Sequence, residues 1–107
     1  LDKITQRNEV ILVEGIFDML NMWQLGYTNT LCIFGSQNFN QNKVNLLDTI
    51  GVVRAHIMMD GDPAGKKAAE KILKFLDNGN IYATIVKLPD GKDPGDITKE
   101  EAERALK

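Results

Sequence analysis

Glu9-Val10-Ile11-Leu12-Val13-Glu14 is a β-rich run stopped at once by Gly15. Its four central residues are apolar without alternation, the pattern of a strand buried on both faces, and such strands belong to parallel sheets covered by helices. The residues that follow agree. From Ile16 to Leu25 the apolar side chains of Ile16, Met19, Leu20 and Trp23 fall at helical spacing, Asp18 sits in the first turn and Gly26 stands as the stop. Thr30 to Phe34 reads as a second strand closed by Gly35, and an amide-rich loop (Ser36, Gln37, Asn38, Asn40) leads to a helix carrying Val44, Leu47 and Ile50 and ended by Gly51. Ala55 to Met59 is a third strand, and Gly65 to Leu76 a helix with Ala68, Ala69, Ile72, Leu73 and Leu76 inward. After an Asp77-Asn78-Gly79-Asn80 turn, Ile81 to Leu88 is the fourth strand. Strands alternating with helices call for an α/β fold, a largely parallel four-stranded sheet with helices on both faces.

Composition narrows the function. The 107 residues are 43% hydrophobic and 26% charged, ordinary for one globular domain and unlike a disordered or coiled-coil chain. No apolar stretch approaches the ~18–20 residues a membrane helix needs, so a soluble, cytoplasmic domain without a signal peptide is expected. Cys32 is alone, which excludes an internal disulfide and cysteine-rich zinc sites. Ser36 and His56 are the single serine and histidine, leaving one way to build a Ser/His nucleophilic pair. A net charge of −2 gives no global basic footprint for nucleic acid, so any polymer must be gripped locally or by another domain. The chain begins at Leu1 and ends within a helical pattern, which reads as one domain, residues 1–107, cut from a longer protein.

In an open α/β sheet, ligands bind beyond the carboxyl ends of the strands. Acidic residues converge there: Glu14 after the first strand, Asp60 and Asp62 after the third, and Asp90, Asp93 and Asp96 after the fourth. Mutually repelling carboxylates call for a cation, and an all-oxygen set suits a hard one such as Mg2+, which also meets substrate phosphates. Asp60-Gly61-Asp62 places two carboxylates on one tight turn, and Gly65 opens a helix whose amino end can face phosphate. An EF-hand loop fails where Ala64 and Lys71 stand. A P-loop fails because three residues separate Gly61 from Gly65 and Lys66-Lys67 follow. A dehalogenase-type phosphatase would need its Asp-x-Asp after the first strand and Thr or Val at Ala64.

Glu14-Gly15-Ile16-Phe17-Asp18 followed about 45 residues later by Asp60-Gly61-Asp62-Pro63-Ala64-Gly65 resembles the Toprim domain shared by primases, topoisomerases, some nucleases and recombination proteins. The resemblance runs from Glu9 to about Ile97. It implies a Toprim-like, Rossmann-like sheet and Mg2+-dependent chemistry, with Mn2+ as a possible substitute, at phosphodiester or triphosphate groups. By position, Glu14 resembles the family's general acid/base and one of its metal contacts, and Asp60 and Asp62 resemble its metal ligands. Asp18 is read instead as a carboxylate stabilising its helix amino terminus, and Met19, Met22 and Trp23 as packing residues.

Leu88-Pro89-Asp90-Gly91-Lys92-Asp93-Pro94-Gly95-Asp96 resembles the tail of the bacterial and phage primase branch. Two departures stand out: Gly95 intervenes before Asp96, leaving either Asp93 or Asp96 as the extra metal ligand, and the Ser36 to Asn42 loop carries amides. The resemblance implies RNA primer synthesis in DNA replication on a single-stranded DNA template from nucleoside triphosphates. It also implies a flanking template-binding or helicase domain. Lys66 and Lys67 are candidate phosphate contacts. Two alternatives remain: a Toprim nuclease using the same acids to activate water, and a non-catalytic interaction module.

Overall fold

The computed structural model describes residues 8–33, 39–77 and 81–106. Phe34 to Asn38, on which the end of the second strand and most of the amide-rich loop were expected, and Asn78 to Asn80 of the expected turn lie outside the described residues. Strands β1 (Glu9–Val13), β2 (Thr30–Cys32), β3 (Arg54–Ile57) and β4 (Tyr82–Ile85) alternate with helices α1 (Ile16–Gln24), α2 (Gln41–Thr49), α3 (Pro63–Asp77) and α4 (Lys99–Ala105). All strand pairs are parallel, in the order β2-β1-β3-β4. No helix among the described residues is long and apolar enough to cross a membrane.

The unbroken apolar run of β1 is explained by two cores. Val10 and Leu12 join Ala55, Ile57 and Met59 of the third strand region beneath α2 (Val44, Leu47) and α3 (Ala68, Ala69, Ile72, Leu76). Ile11 and Val13 point the other way, to Met22 of α1, Met58, and Ile97 and Ala102 at α4. A strand with period-two side chains and helices on both sides has no polar face.

Strand lengths follow the partner rather than the propensity of the strand itself. The run from Thr30 ends at Cys32 because its neighbour ends at Val13, which is paired to Cys32; Ile33 still donates to the Val13 carbonyl at 2.9 Å. Likewise β4 stops at Ile85, opposite Ile57, three residues short of the expected Leu88, and Val86 closes the ladder by donating to Ile57 O at 2.8 Å. Helix α3 starts two residues earlier than expected. Pro63 fits the first helical position, where its missing N–H is no loss, and Asp62 caps the helix by accepting from Gly65 N–H at 2.7 Å.

Of the residues of α1 read as packing, Met22 and part of Met19 are buried and Trp23 is not. The helix packs through these two methionines, whereas Ile16, Leu20 and Trp23 are 40–45% exposed and Phe17 is 80% exposed. One helix stripe meets the sheet, and among the described residues nothing covers the opposite one. Trp23 serves less as packing than as a tether, its indole N–H donating to Thr30 O at 3.0 Å.

Candidate metal and phosphoryl-transfer site

The chain leaves β1 for β2 on one side and later returns to place β3 on the other side of β1. This is a topological switch point, and the residues following two hydrogen-bonded neighbour strands emerge side by side. Glu14 follows β1 and Asp60 follows β3, so the sheet order itself brings them to one crevice.

Three carboxylates, Asp18, Asp60 and Asp93, each bring one oxygen to within 4.8 Å of the others, and all three are half-buried. Each arrives by a different device. Asp18 is the third residue of α1; its Oδ2 accepts from Gly15 N–H at 3.2 Å. The helix-stabilising role expected from sequence is therefore present, and the same side chain also joins the cluster. Asp60 ends the β3 segment, where Gly61 N–H donates to Lys92 O at 2.7 Å and Gly91 N–H returns a bond to Gly61 O at 3.1 Å. A Cβ at Gly61 would stand 2.6 Å from Pro89 O, so only glycine lets the 88–92 loop close over this turn. Asp93 is held by its own loop: its Oδ1 accepts from Gly95 N–H at 2.8 Å, and its N–H donates to Asp96 Oδ1 at 2.9 Å.

Asn21 joins the two halves. From α1 its side-chain amide donates to Pro94 O at 2.9 Å and to Ile97 O at 3.2 Å, pinning the Asp93 loop against the helix that carries Asp18. Gly95 completes the fit. A Cβ there would meet Asp18 Oδ1 at 2.9 Å and Asp93 Oδ1 at 3.1 Å. The glycine that departs from the primase-like tail thus stands against the two carboxylates.

The other expected site residues take up different positions. Glu14 is half-buried and its charge acts on both Asp18 and Asp60. Asp62 and Asp96 are exposed and outside the three-carboxylate group, each with one oxygen bonded to a backbone N–H of its own turn. Lys66 lines a cavity of about 270 Å3 that also has Asp60, Gly65, Ile85 and Lys87 in its wall, whereas Lys67 is exposed and does not line it. Asp18 and Asn21 are the residues that sequence reasoning passed over. Asp18 had a sufficient local explanation, and the Asn21 contacts span 73 and 76 positions, for which no local pattern exists.

Burial, and then the charges of Asp18, Asp93, Glu14 and Asp62, push the Asp60 carboxyl up to about 6. Asp18 is also raised, first by burial, with the Gly15 amide opposing and Asp93 reinforcing. Below about pH 4 Asp60 is protonated in both folded and unfolded chains. Between about pH 4 and 6 the folded chain binds more protons, so stability falls as pH rises through this window and stays lower above it. Asp60→Asn is expected to flatten that fall and raise the Tm of the metal-free protein at neutral pH. The gain is on the order of 1 kcal/mol once solvent screening of a partly exposed group is allowed for. Melts in chelator across this window check it; an equally steep fall in the variant assigns the linkage to another group.

A crowd of oxygen donors holding excess negative charge at neutral pH fits a hard divalent cation and fits no soft metal. The profile of the Toprim-like family matches residues 11–98, a span that holds Asp18, Asp60 and Asp93 together. The chain belongs to the Toprim-like family. This Toprim-like chain is 33% identical over 105 residues to a DNA primase of Chlamydia trachomatis, covering 98% of this chain and 18% of that protein. It is 34% identical over 104 residues to a DNA primase of Aquifex aeolicus, covering 97% and 20%. The crystal structure of the zinc-binding and RNA polymerase domains of Aquifex aeolicus primase matches it with a TM-score of 0.87 at 32% identity, over 98% of this chain and 27% of that one. The Toprim-like chain spans about a fifth of the length of the curated relatives it matches.

Proposed function

We propose that this Toprim-like domain is the Mg2+-dependent nucleotidyl-transfer centre of a DNA primase, making RNA primers for DNA replication on a single-stranded DNA template. One observation carries the reading: a half-buried carboxylate cluster stands at the switch point of a chain that matches DNA primases over nearly its whole length. Asp60, Asp93 and Asp18 are the first ligands. Asp62 and Asp96 each have one oxygen turned to backbone N–H and offer the other to a second cation. When bound, Mg2+ (or Mn2+ in its place) supplies positive charge that lowers the pKa of the attacking hydroxyl and neutralises the leaving pyrophosphate.

The protein's own part is positioning and proton transfer. The 3′-hydroxyl of one nucleotide attacks the α-phosphate of a nucleoside triphosphate; the new O–P bond forms as the α–β bond breaks, and Glu14 accepts the hydroxyl proton. Lys66, on the cavity wall beside Asp60, meets triphosphate oxygens, with Lys67 one residue further along the same turn. A helicase or template-binding domain flanks this one in a longer cytoplasmic protein.

Millimolar Mg2+ is expected to raise the Tm of the chain, since a ligand binding only the folded state stabilises it by about 1.4 kcal/mol at ten times its Kd. Asp60→Asn with Asp93→Asn removes the rise. An undiminished rise in that double variant puts the cation elsewhere. The activity itself is tested by a chimera in which residues 8–106 replace the matching segment of Aquifex aeolicus primase. Primer synthesis by the chimera, dependent on Mg2+ or Mn2+, supports the reading; cleavage of single-stranded DNA in its place favours a nuclease; a folded chimera with neither activity favours a non-catalytic module.

A further inference from the structure

The sheet face beneath α1 and α4 is covered only in part. Strand register places Glu9, Arg54 and Tyr82 in one row across β1, β3 and β4, and Ile11, His56 and Thr84 in the next. The faces of parallel sheets are ordinarily apolar and covered by helices. On β3 and the edge strand β4 these rows carry Arg, His, Tyr and Thr instead, and they border an open cavity of about 390 Å3. Lys87 and Leu106 also line it.

The charge of this cavity differs from that of the molecule. The chain carries net charge −2, yet the charged side chains lining the cavity are Arg54 and Lys87, and no carboxylate among the described residues lines it. The adjoining Glu9 is engaged, with Oε1 3.0 Å from His56 Nε2 and 3.8 Å from Arg54 Nη1. The Arg54 guanidinium lies 5.4 Å from the centre of the Tyr82 ring, and Tyr82 is 62% exposed. An open aromatic ring beside cations, with a hydroxyl donor in Thr84, fits a ligand that is at once flat and anionic.

We propose that this face binds a short stretch of single-stranded nucleic acid, two nucleotide units long, with a base stacked on Tyr82 and successive phosphates held by Arg54 and Lys87. Arg54 and Tyr82 stand at the amino ends of β3 and β4, whereas the carboxylate cluster stands beyond the carboxyl ends; of the three proposed contacts Lys87 alone also borders the cavity beside Asp60. Strands four residues long span about 13 Å, roughly two nucleotide steps of an extended strand. This inference goes beyond the nucleotidyl-transfer reading and needs neither cation nor triphosphate.

The test is fluorescence anisotropy of labelled oligothymidylate against the 107-residue chain in chelator at low salt, taken to about 1 mM protein. Saturable binding is expected. Tyr82→Ala weakens it about tenfold and Tyr82→Phe restores it to within about twofold, as stacking requires. Arg54→Ala and Lys87→Ala each lower the dependence of log affinity on log salt by about 0.7. Lys87 and Tyr82 are exposed, so their variants decide the matter even if Arg54→Ala lowers stability through the Glu9 pair. No binding by the unsubstituted chain overturns the proposal. So does binding indifferent to Tyr82→Ala, or competition by free thymidine monophosphate as strong as that by the strand. Because neither cation nor triphosphate is present, the outcome is independent of whether the chimera synthesises primers.

Discussion

The Aquifex chimera carrying Glu14→Gln loses primer synthesis by at least about a hundredfold, the lower range for removing a positioned proton acceptor. The substitution keeps the size and hydrogen-bonding capacity of the side chain and removes only its charge and its ability to take a proton. Glu14 is half-buried, so an amide there is compatible with the fold. Its charge is one of those that raise Asp60 and Asp18, so the metal-free variant is also expected to melt no lower than the parent. Rates of dinucleotide formation together with thermal melts check both arms. Synthesis at the parental rate with Gln at position 14 refutes the general-base role. A loss of rate accompanied by a large fall in Tm assigns it to misfolding.

Gly65→Ala is expected to destabilise the chain by about 3 kcal/mol, the upper end for overpacking, and to lower the Tm by more than about 10 °C. The added Cβ would collide with the Asp60 carbonyl oxygen and crowd the Asp60 carbonyl carbon and nitrogen, all backbone atoms with no rotamer to change. Nor can α3 back away, because Ala68, Ala69 and Ile72 are packed behind it. The Gly65 N–H is also the donor to the Asp62 cap, so relief of the clash disturbs the start of the helix. Gly91→Ala is the control: φ is +76° there and nothing lies within 4 Å of the added carbon, so only the backbone preference, about 1 kcal/mol, is at stake. Equal melting of the two variants would show that the approach of α3 to Asp60 is looser than described. Asp60 is carried on the colliding segment, so Gly65→Ala should also weaken the Mg2+ response out of proportion to the lost stability.

Much of this was legible before any coordinates. The apolar run of β1 announced burial on both faces, and two cores supply it. The Glu14 and Asp60 motifs identified the family. Less legible was where strands end, since Val86 and Leu88 continue an apolar pattern beyond the last residue paired to the partner strand. The outward stripe of α1 was open for a related reason: apolar spacing shows that a helix has apolar faces and does not say which one the sheet covers.

By itself, then, the sequence determined the parallel α/β fold, the crevice at the carboxyl ends of β1 and β3, and the oxygen-only chemistry of any metal held there. These follow from periodicity, strand order and residue type, all local or nearly so. Tertiary structure alone decided which acids meet. Asp18 joins Asp60 and Asp93 because Asn21 fastens α1 to carbonyls 73 and 76 positions away and because Gly95 leaves room for two carboxylates. Asp62 and Asp96, also carboxylates and close to Asp60 and Asp93 in sequence, each spend an oxygen on their own turns. A carboxylate's role depends on what its backbone lets it reach, and that distance is set by packing between distant segments.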